Sequence, residues 1–147
     1  MSFFGSLDTS ASGLTAQRLR LDIISQNMAN ASTTRTEGGG PYKRKTVVFE
    51  AIQNDANKNF GSILNQKKQS GCNGVRVARI VEDQSEGNLV YDPSHPDANA
   101  QGYVEMPNVN TIDEMVNMIS ASRSYEANVN SFNSMKSMFT KALDIGK

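Results

Sequence analysis

The sequence has no tryptophan, one cysteine and one histidine among its 147 residues. The single cysteine, Cys72, excludes an intrachain disulfide, and its position between glycines and polar residues favours an incidental loop thiol. The single histidine, His95, leaves no material for a multi-histidine metal site. Because His95 stands between two prolines, we expect it to occupy a turn rather than to act in catalysis. We therefore predict no catalytic residue, no metal site and no cofactor.

Neither sign of charge is in excess, and no long hydrophobic run is present. Fifteen basic and fifteen acidic side chains give zero formal net charge, so there is no broad attraction for nucleic acid. The basic segment "PYKRK" (41–45) is short and has Glu37 and Glu50 nearby, so we interpret it as the solvated start of an edge strand. The sequence contains no apolar run of 18 residues, so we predict no membrane span.

The beginning of the sequence lacks the features of a signal peptide. It has no basic region followed by a continuous apolar stretch and a small-residue cleavage site. We therefore expect a cytoplasmic protein, or one exported by a route that does not read such signals.

The N-terminal segment has apolar residues at helical spacing. The residues of this stripe are Leu7, Leu14, Leu21, Ile24 and Met28. The stripe predicts a helix over about residues 8–31. Asp8, Ser10 and Ser12 are candidates for its N-cap.

The C-terminal third has a longer heptad pattern. One line contains Met118, Tyr125, Phe132 and Phe139, and a companion line contains Ala121, Asn128, Met135 and Ala142. Ile112, Met115 and Ile119 add apolar surface near the start. The pattern predicts a helix over about 111–144, capped by Asn110 or Thr111. A heptad repeat keeps one seam facing a partner helix. A long amphipathic helix on a globular core remains the alternative, but two such helices favour pairing with each other and with other subunits.

The middle of the chain is rich in β-branched residues. The predicted strands are 45–52, 74–83, 88–91 and 103–106, separated by glycine- and proline-containing segments. We predict an α+β fold in which the two terminal helices pair as a coiled-coil-like stalk that carries a small β-rich insert. The predicted divisions are 1–35 for the N-terminal helix and an Asn-Ala-Asn turn formed by Asn27, Ala29 and Asn30, 36–108 for the insert with its loops, and 109–147 for the C-terminal helix.

Two motifs at opposite ends of the chain are more specific than spacing alone. "SQNMANASTTRT" contains Asn27, Ala29 and Asn30, and "SRSYEANVNSF" contains Arg123, Tyr125, Glu126 and Asn128. Both resemble the helical ends of flagellar basal-body rod proteins. The middle blocks "TTRTEGGGPYKRK" and "LVYDPSHPDANAQGYVEMPNVN" are similar to the proximal-rod members of that family.

The resemblance implies a structural subunit of the bacterial flagellar proximal rod, not an enzyme. Such a subunit polymerises helically through its terminal helices into a hollow drive shaft that transmits torque and passes exported subunits. The implied partners are copies of itself, other rod proteins, the rod-to-membrane-ring adaptor and the flagellar type III export apparatus, with no nucleic acid and no small-molecule substrate. The implied location is the basal body, in the periplasm or cell wall, after export without a cleaved signal peptide.

The apolar stripes supply the expected assembly interface. We predict that it contains Leu7, Leu14, Leu21, Ile24, Met28, Met118, Tyr125, Phe132, Met135 and Phe139. Two rival readings remain open from the residues alone. One is a soluble adaptor that pairs its helices with a partner coiled coil and never polymerises, and the weaker one is a hydrolase with an unrecognised site.

Overall fold

The computed structural model describes residues 3–52 and 74–145, so Cys72 lies outside the described residues. Helix α1 spans Phe3–Ala29 and helix α2 spans Thr111–Ile145. Four strands lie between them: β1 (Lys45–Ala51), β2 (Val75–Glu82), β3 (Leu89–Tyr91) and β4 (Tyr103–Glu105). The predicted α+β architecture, two long terminal helices around a small β-rich insert, is confirmed. The three predicted divisions of the chain stay predictions.

Helix α1 begins five residues earlier than the apolar stripe predicts, and the predicted N-caps are wrong. Ser12 lies inside the helix, where its hydroxyl donates to the Thr9 carbonyl at 2.7 Å. The Thr9 hydroxyl in turn donates to the Gly5 carbonyl at 2.8 Å. Hydroxyls that bond a carbonyl one turn back are compatible with a helix interior, so these polar residues do not end the helix.

Helix α2 begins at the predicted position. The Asn110 side-chain oxygen accepts a hydrogen bond from the Ile112 backbone N–H at 3.0 Å, so Asn110 is the N-cap. The 35 residues of α2 span about 50 Å at 1.5 Å per residue, whereas the 27 residues of α1 span about 40 Å. Neither helix is long and apolar enough to cross a membrane.

The two helices pack against each other in antiparallel orientation. The Asn27 side chain bonds Glu114 at one end of the contact, and Gly13 lies against Asn128 further along. A side chain at Gly13 would place its Cβ 3.0 Å from Asn128 Nδ2, so glycine permits the close approach of the helices. The most deeply buried apolar residue of α2 is Ala121, which has the same effect.

The insert consists of two separate two-stranded antiparallel sheets. β1 pairs with β2, with a bulge between Val48 and Phe49, and β3 pairs with β4. The first sheet is joined to α1 where the Val75 N–H donates to the Ser12 hydroxyl at 3.1 Å. Most side chains of both sheets are exposed, so the apolar core lies mainly along the helix pair.

Gly74 lies where the first sheet contacts α1, and we expect Gly74→Ala to destabilise the protein. Its φ is +119°, and a Cβ there would collide with the Ser12 hydroxyl. A side chain in this conformation is strained, so the expected loss in free energy of unfolding is about 2 kcal/mol. Gly38→Ala, where nothing lies within 4 Å, is the matched control. Urea unfolding measures both, and equal losses would contradict this account.

Candidate assembly site

A buried asparagine connects both helices to the insert. Asn27 is 1% exposed, and its amide nitrogen donates to the Lys45 carbonyl at 2.8 Å and to Glu114 Oε2 at 2.9 Å. Its amide oxygen accepts from the Tyr42 hydroxyl at 3.0 Å and from the Lys45 N–H at 2.9 Å. All four bonding positions of the amide are therefore used. We call Asn27, Tyr42, Arg44, Lys45 and Glu114 the helix–insert joint.

Glu114 is the buried charge of this joint, with 0% exposure. Arg44 donates to Glu114 Oε1 twice, from Nη2 at 2.7 Å and from Nε at 2.9 Å. Glu114 also lies in the first turn of α2, where the helix dipole favours a negative charge. A buried carboxylate is tolerated only when such partners replace its water. The joint therefore holds the start of α2 against the start of β1.

The backbone of Arg44 extends the joint towards the rest of the insert. Its N–H donates to Asn108 Oδ1 at 2.7 Å, and its carbonyl accepts from the Asp83 N–H at 2.7 Å. The Asn108 amide donates to the carbonyls of Asp83 and Ser85, each at 3.1 Å. The interpretation of "PYKRK" as a solvated strand start is therefore wrong for Tyr42 and Arg44, because their side chains bond Asn27 and Glu114 within the joint.

The joint also affects the titration of Tyr42. Burial raises the pKa of the Tyr42 hydroxyl above its usual value, and the Glu82 and Glu114 carboxylates raise it further. An unfolded tyrosine loses its proton near pH 10, whereas the folded one keeps it to higher pH. The contribution to stability is therefore complete below about pH 10 and is lost as the pH rises through the folded pKa.

We expect the free energy of unfolding of Tyr42→Phe to decrease less than that of the parent as the pH rises above 10. At neutral pH the variant loses the hydrogen bond to Asn27, at a cost of about 1 kcal/mol. Above pH 10 the difference between variant and parent narrows, because only the parent has this tyrosine to ionise on unfolding. Urea unfolding between pH 8 and pH 11 measures this, with the exposed Tyr91→Phe as control. A constant difference over that range would contradict the assignment.

The first three turns of α2 carry an exposed apolar surface. Ile112 is 70% exposed, Met115 51%, Val116 62% and Ile119 54%. Their spacing puts them on one side of the helix, while Glu114, Met118 and Ala121 are the less exposed residues on the α1 side. We call these four exposed residues the outward patch. No described element covers it.

The predicted interface residues are mostly half-buried in the described part of the chain. Ile24 is buried, and Phe139 is 39% exposed. The other eight are half-buried: Leu7, Leu14, Leu21, Met28, Met118, Tyr125, Phe132 and Met135. Contact of these residues with a neighbouring subunit stays a prediction.

The family-motif residues separate into two groups. Asn27 is inside α1 rather than in the turn that follows it, which corrects its assignment to an Asn-Ala-Asn turn. Asn128 lies against Gly13 in the helix contact, and Tyr125 and Asn30 are half-buried. Ala29, Arg123 and Glu126 are exposed.

Sequence reasoning missed Glu114, Arg44 and Val116. Glu114 stands one heptad before Ala121 of the companion line, and this spacing is the signal that could have placed it on the inner side of α2. Arg44 left no signal, because its partner lies 70 positions away. Val116 is visible as part of the outward patch only once the position of α1 is known.

The turn around His95 has its own hydrogen bonds. The Asp97 N–H donates to His95 Nδ1 at 3.1 Å, and the Thr34 hydroxyl donates to Asp97 Oδ2 at 2.8 Å. Hydrogen bonds from Ser94 hold the pKa of Asp92 below its usual value. Within residues 3–52 and 74–145, no three histidine, cysteine, aspartate or glutamate side chains come together to hold a metal. The absence of a metal or catalytic site stays a prediction.

Fold and site together define a class of proteins in which paired terminal helices hold an inserted β region and keep an apolar helix face exposed. Two family models match the helical ends. The model for "Flagella basal body rod protein" matches residues 7–35, and the model for "Flagellar basal body rod FlgEFG protein C-terminal" matches residues 100–145.

Proteins named flagellar basal-body rod protein FlgC are similar over the full chain. The protein of Bacillus subtilis is 51% identical, and the alignment covers 100% of both chains. That of Borreliella burgdorferi is 50% identical, covering 99% of this chain and 98% of the relative. That of Escherichia coli O6:H1 is 42% identical, again over 100% of both chains. The chain belongs to the FlgC family of flagellar basal-body rod proteins.

Proposed function

We propose that this protein is a structural subunit of the flagellar rod, where it assembles with other rod proteins and with copies of itself. The observation that carries the proposal is the full-length similarity to proteins named as rod subunits. The outward patch supports it, because a helix face with four exposed large apolar side chains is typical of a surface that a partner covers.

The patch is suited to a contact that repeats. Burying one large apolar side chain contributes about 1.5–3 kcal/mol, so four such residues supply a substantial part of a subunit contact. A patch on one helix that meets a different surface of the next copy forms a heterologous contact. Such contacts extend into helical filaments unless they close into a ring. We therefore propose helical polymerisation through the terminal helices around a central channel.

The proposal extends to the location, the export and the further partner of the subunit. The subunit lies in the basal body within the periplasm or cell wall and is exported by the flagellar type III apparatus without a cleaved signal peptide. Its further partner is the adaptor between rod and membrane ring. Torque passes through buried contacts such as the helix–insert joint, which resists rotation of the insert relative to the helix pair, and no substrate is turned over.

Complementation tests the proposal. A bacterium that lacks its own FlgC protein is given the full-length chain, and isolated basal bodies are examined by negative-stain microscopy. Complete rods that contain the chain are the expected result. A chain that is produced and folded but absent from basal bodies would overturn the proposal and favour the soluble-adaptor reading. The same bacterium given its own protein is the control for recovery.

A further inference from the structure

Each helix has an exposed line of residues. The two lines are complementary in the charge and in the size of their side chains. On α2 the line of the outward patch continues through Arg123 and Glu126 at three- and four-residue steps. On α1 the exposed line contains Thr15, Arg18, Asp22, Ser25 and Ala29 at the same steps. Steps of three and four keep side chains on one face of a helix. Each line is therefore a continuous surface.

Among residues 3–52 and 74–145, the charged residues of both lines have no ionic partner. Arg18, Asp22, Arg123 and Glu126 are all exposed. The ion pairs among the described residues lie in the insert, the joint and the His95 turn, and include none of these four. Two acids and two bases are thus available for contacts with another molecule.

We propose that the exposed line of α2 docks on the exposed line of α1 in a second copy of this chain, with Arg123 against Asp22 and Glu126 against Arg18. The inference rests on the proposed function, which gives all subunits of the rod one orientation. Since α1 and α2 are antiparallel within a chain, α2 of one copy then runs antiparallel to α1 of the next. In an antiparallel pair, higher residue numbers on α2 face lower residue numbers on α1. Glu126 therefore faces Arg18 when Arg123 faces Asp22, and both ion pairs form in a single register.

The same register also matches the sizes of the side chains. It places Val116 opposite Ala29 and Ile119 opposite Ser25, so large apolar residues meet small ones, as in the packing of ridges into grooves. Without an axial offset between neighbours, Arg123 would stand opposite Arg18, and like charges would repel. An offset of three to four residues, about 5 Å, replaces this repulsion by two attractive pairs. Charge pattern therefore selects one register.

Charge reversal tests the contact in the full-length chain. Asp22→Arg and Arg123→Asp are each expected to reduce the number of complete rods about tenfold, and the double variant is expected to restore them. Arg18→Glu and Glu126→Arg repeat the test on the second pair. Lys136→Glu reverses an exposed charge on α2 outside these pairs and is the control. The thermal unfolding of each purified variant verifies that it folds.

The outcomes separate this contact from the rod function itself. Complete rods in the single reversals would overturn the contact while leaving the rod function intact. Defective single variants that the double variant does not restore would also overturn it, because the facing surface would then belong to another protein. If the unaltered chain does not enter basal bodies, the proposed function fails instead. A disulfide between copies that carry Ser25→Cys and Ile119→Cys, in a Cys72→Ser background, is the expected direct evidence.

Discussion

Asn27→Ala is expected to lower the free energy of unfolding by about 3 kcal/mol or more. The substitution removes all four hydrogen bonds of a side chain that is 1% exposed. It leaves the Lys45 backbone groups, the Tyr42 hydroxyl and Glu114 Oε2 without that partner, and each unsatisfied buried group costs about 1–3 kcal/mol. Because these groups belong to both helices and to β1, the loss affects the whole fold. Urea unfolding of the purified chain measures it.

Asn30→Ala is the matched control for this prediction. Asn30 is an asparagine three positions further on, but its side-chain bonds are local. Its nitrogen donates to the Gln26 carbonyl at 2.9 Å, and its oxygen accepts from the Thr33 hydroxyl at 3.2 Å. Its loss is expected to be about 1 kcal/mol or less. If the two alanine variants lose equal stability, Asn27 does not have the connecting role described for the joint.

Val116→Asp and Ile119→Asp are expected to block rod assembly while leaving the subunit folded. Both side chains are more than half exposed, at 62% and 54%, so the free energy of unfolding should change by no more than about 0.5 kcal/mol. A carboxylate in the assembled contact loses its water without gaining a partner, which is costly. Basal bodies isolated from a complemented strain should therefore contain few complete rods.

Ser120→Asp introduces the same charge next to Ile119, at an exposed polar position of the same helix. It is expected to leave rod assembly close to the level of the unaltered chain. Complete rods in both patch variants would show that the outward patch is not a subunit contact. Loss of folding in either patch variant would show that the patch is part of the core.

The helices and strands could be predicted because their signals are local. The heptad lines and the Asn110 cap predict α2 closely, and β-branched runs between glycines and prolines predict all four strands. The predicted start of α1 is five residues late because Asp8, Ser10 and Ser12 resemble N-caps in sequence. A serine hydroxyl can bond its own helix as readily as it can begin one, and only the fold distinguishes the two.

The interior of the helix pair could be predicted only in part. Heptad spacing identifies the inner side of α2, where Met118, Tyr125 and Phe132 are half-buried. It does not identify the outward patch as a separate surface. Near the start of α2 the apolar residues continue around the helix, and a sequence pattern does not show which of them the other helix covers.

The sequence by itself determines that two long helices enclose a β-rich insert, and its end motifs determine the family, because periodicity, caps and motifs are written in neighbouring residues. Only the tertiary structure decides how these parts meet. Asn27, Arg44 and Glu114 come from three distant segments, and a hydrogen bond between such segments leaves no periodic trace. The antiparallel pairing of α1 with α2 brings these residues together, and the same pairing leaves the outward patch exposed.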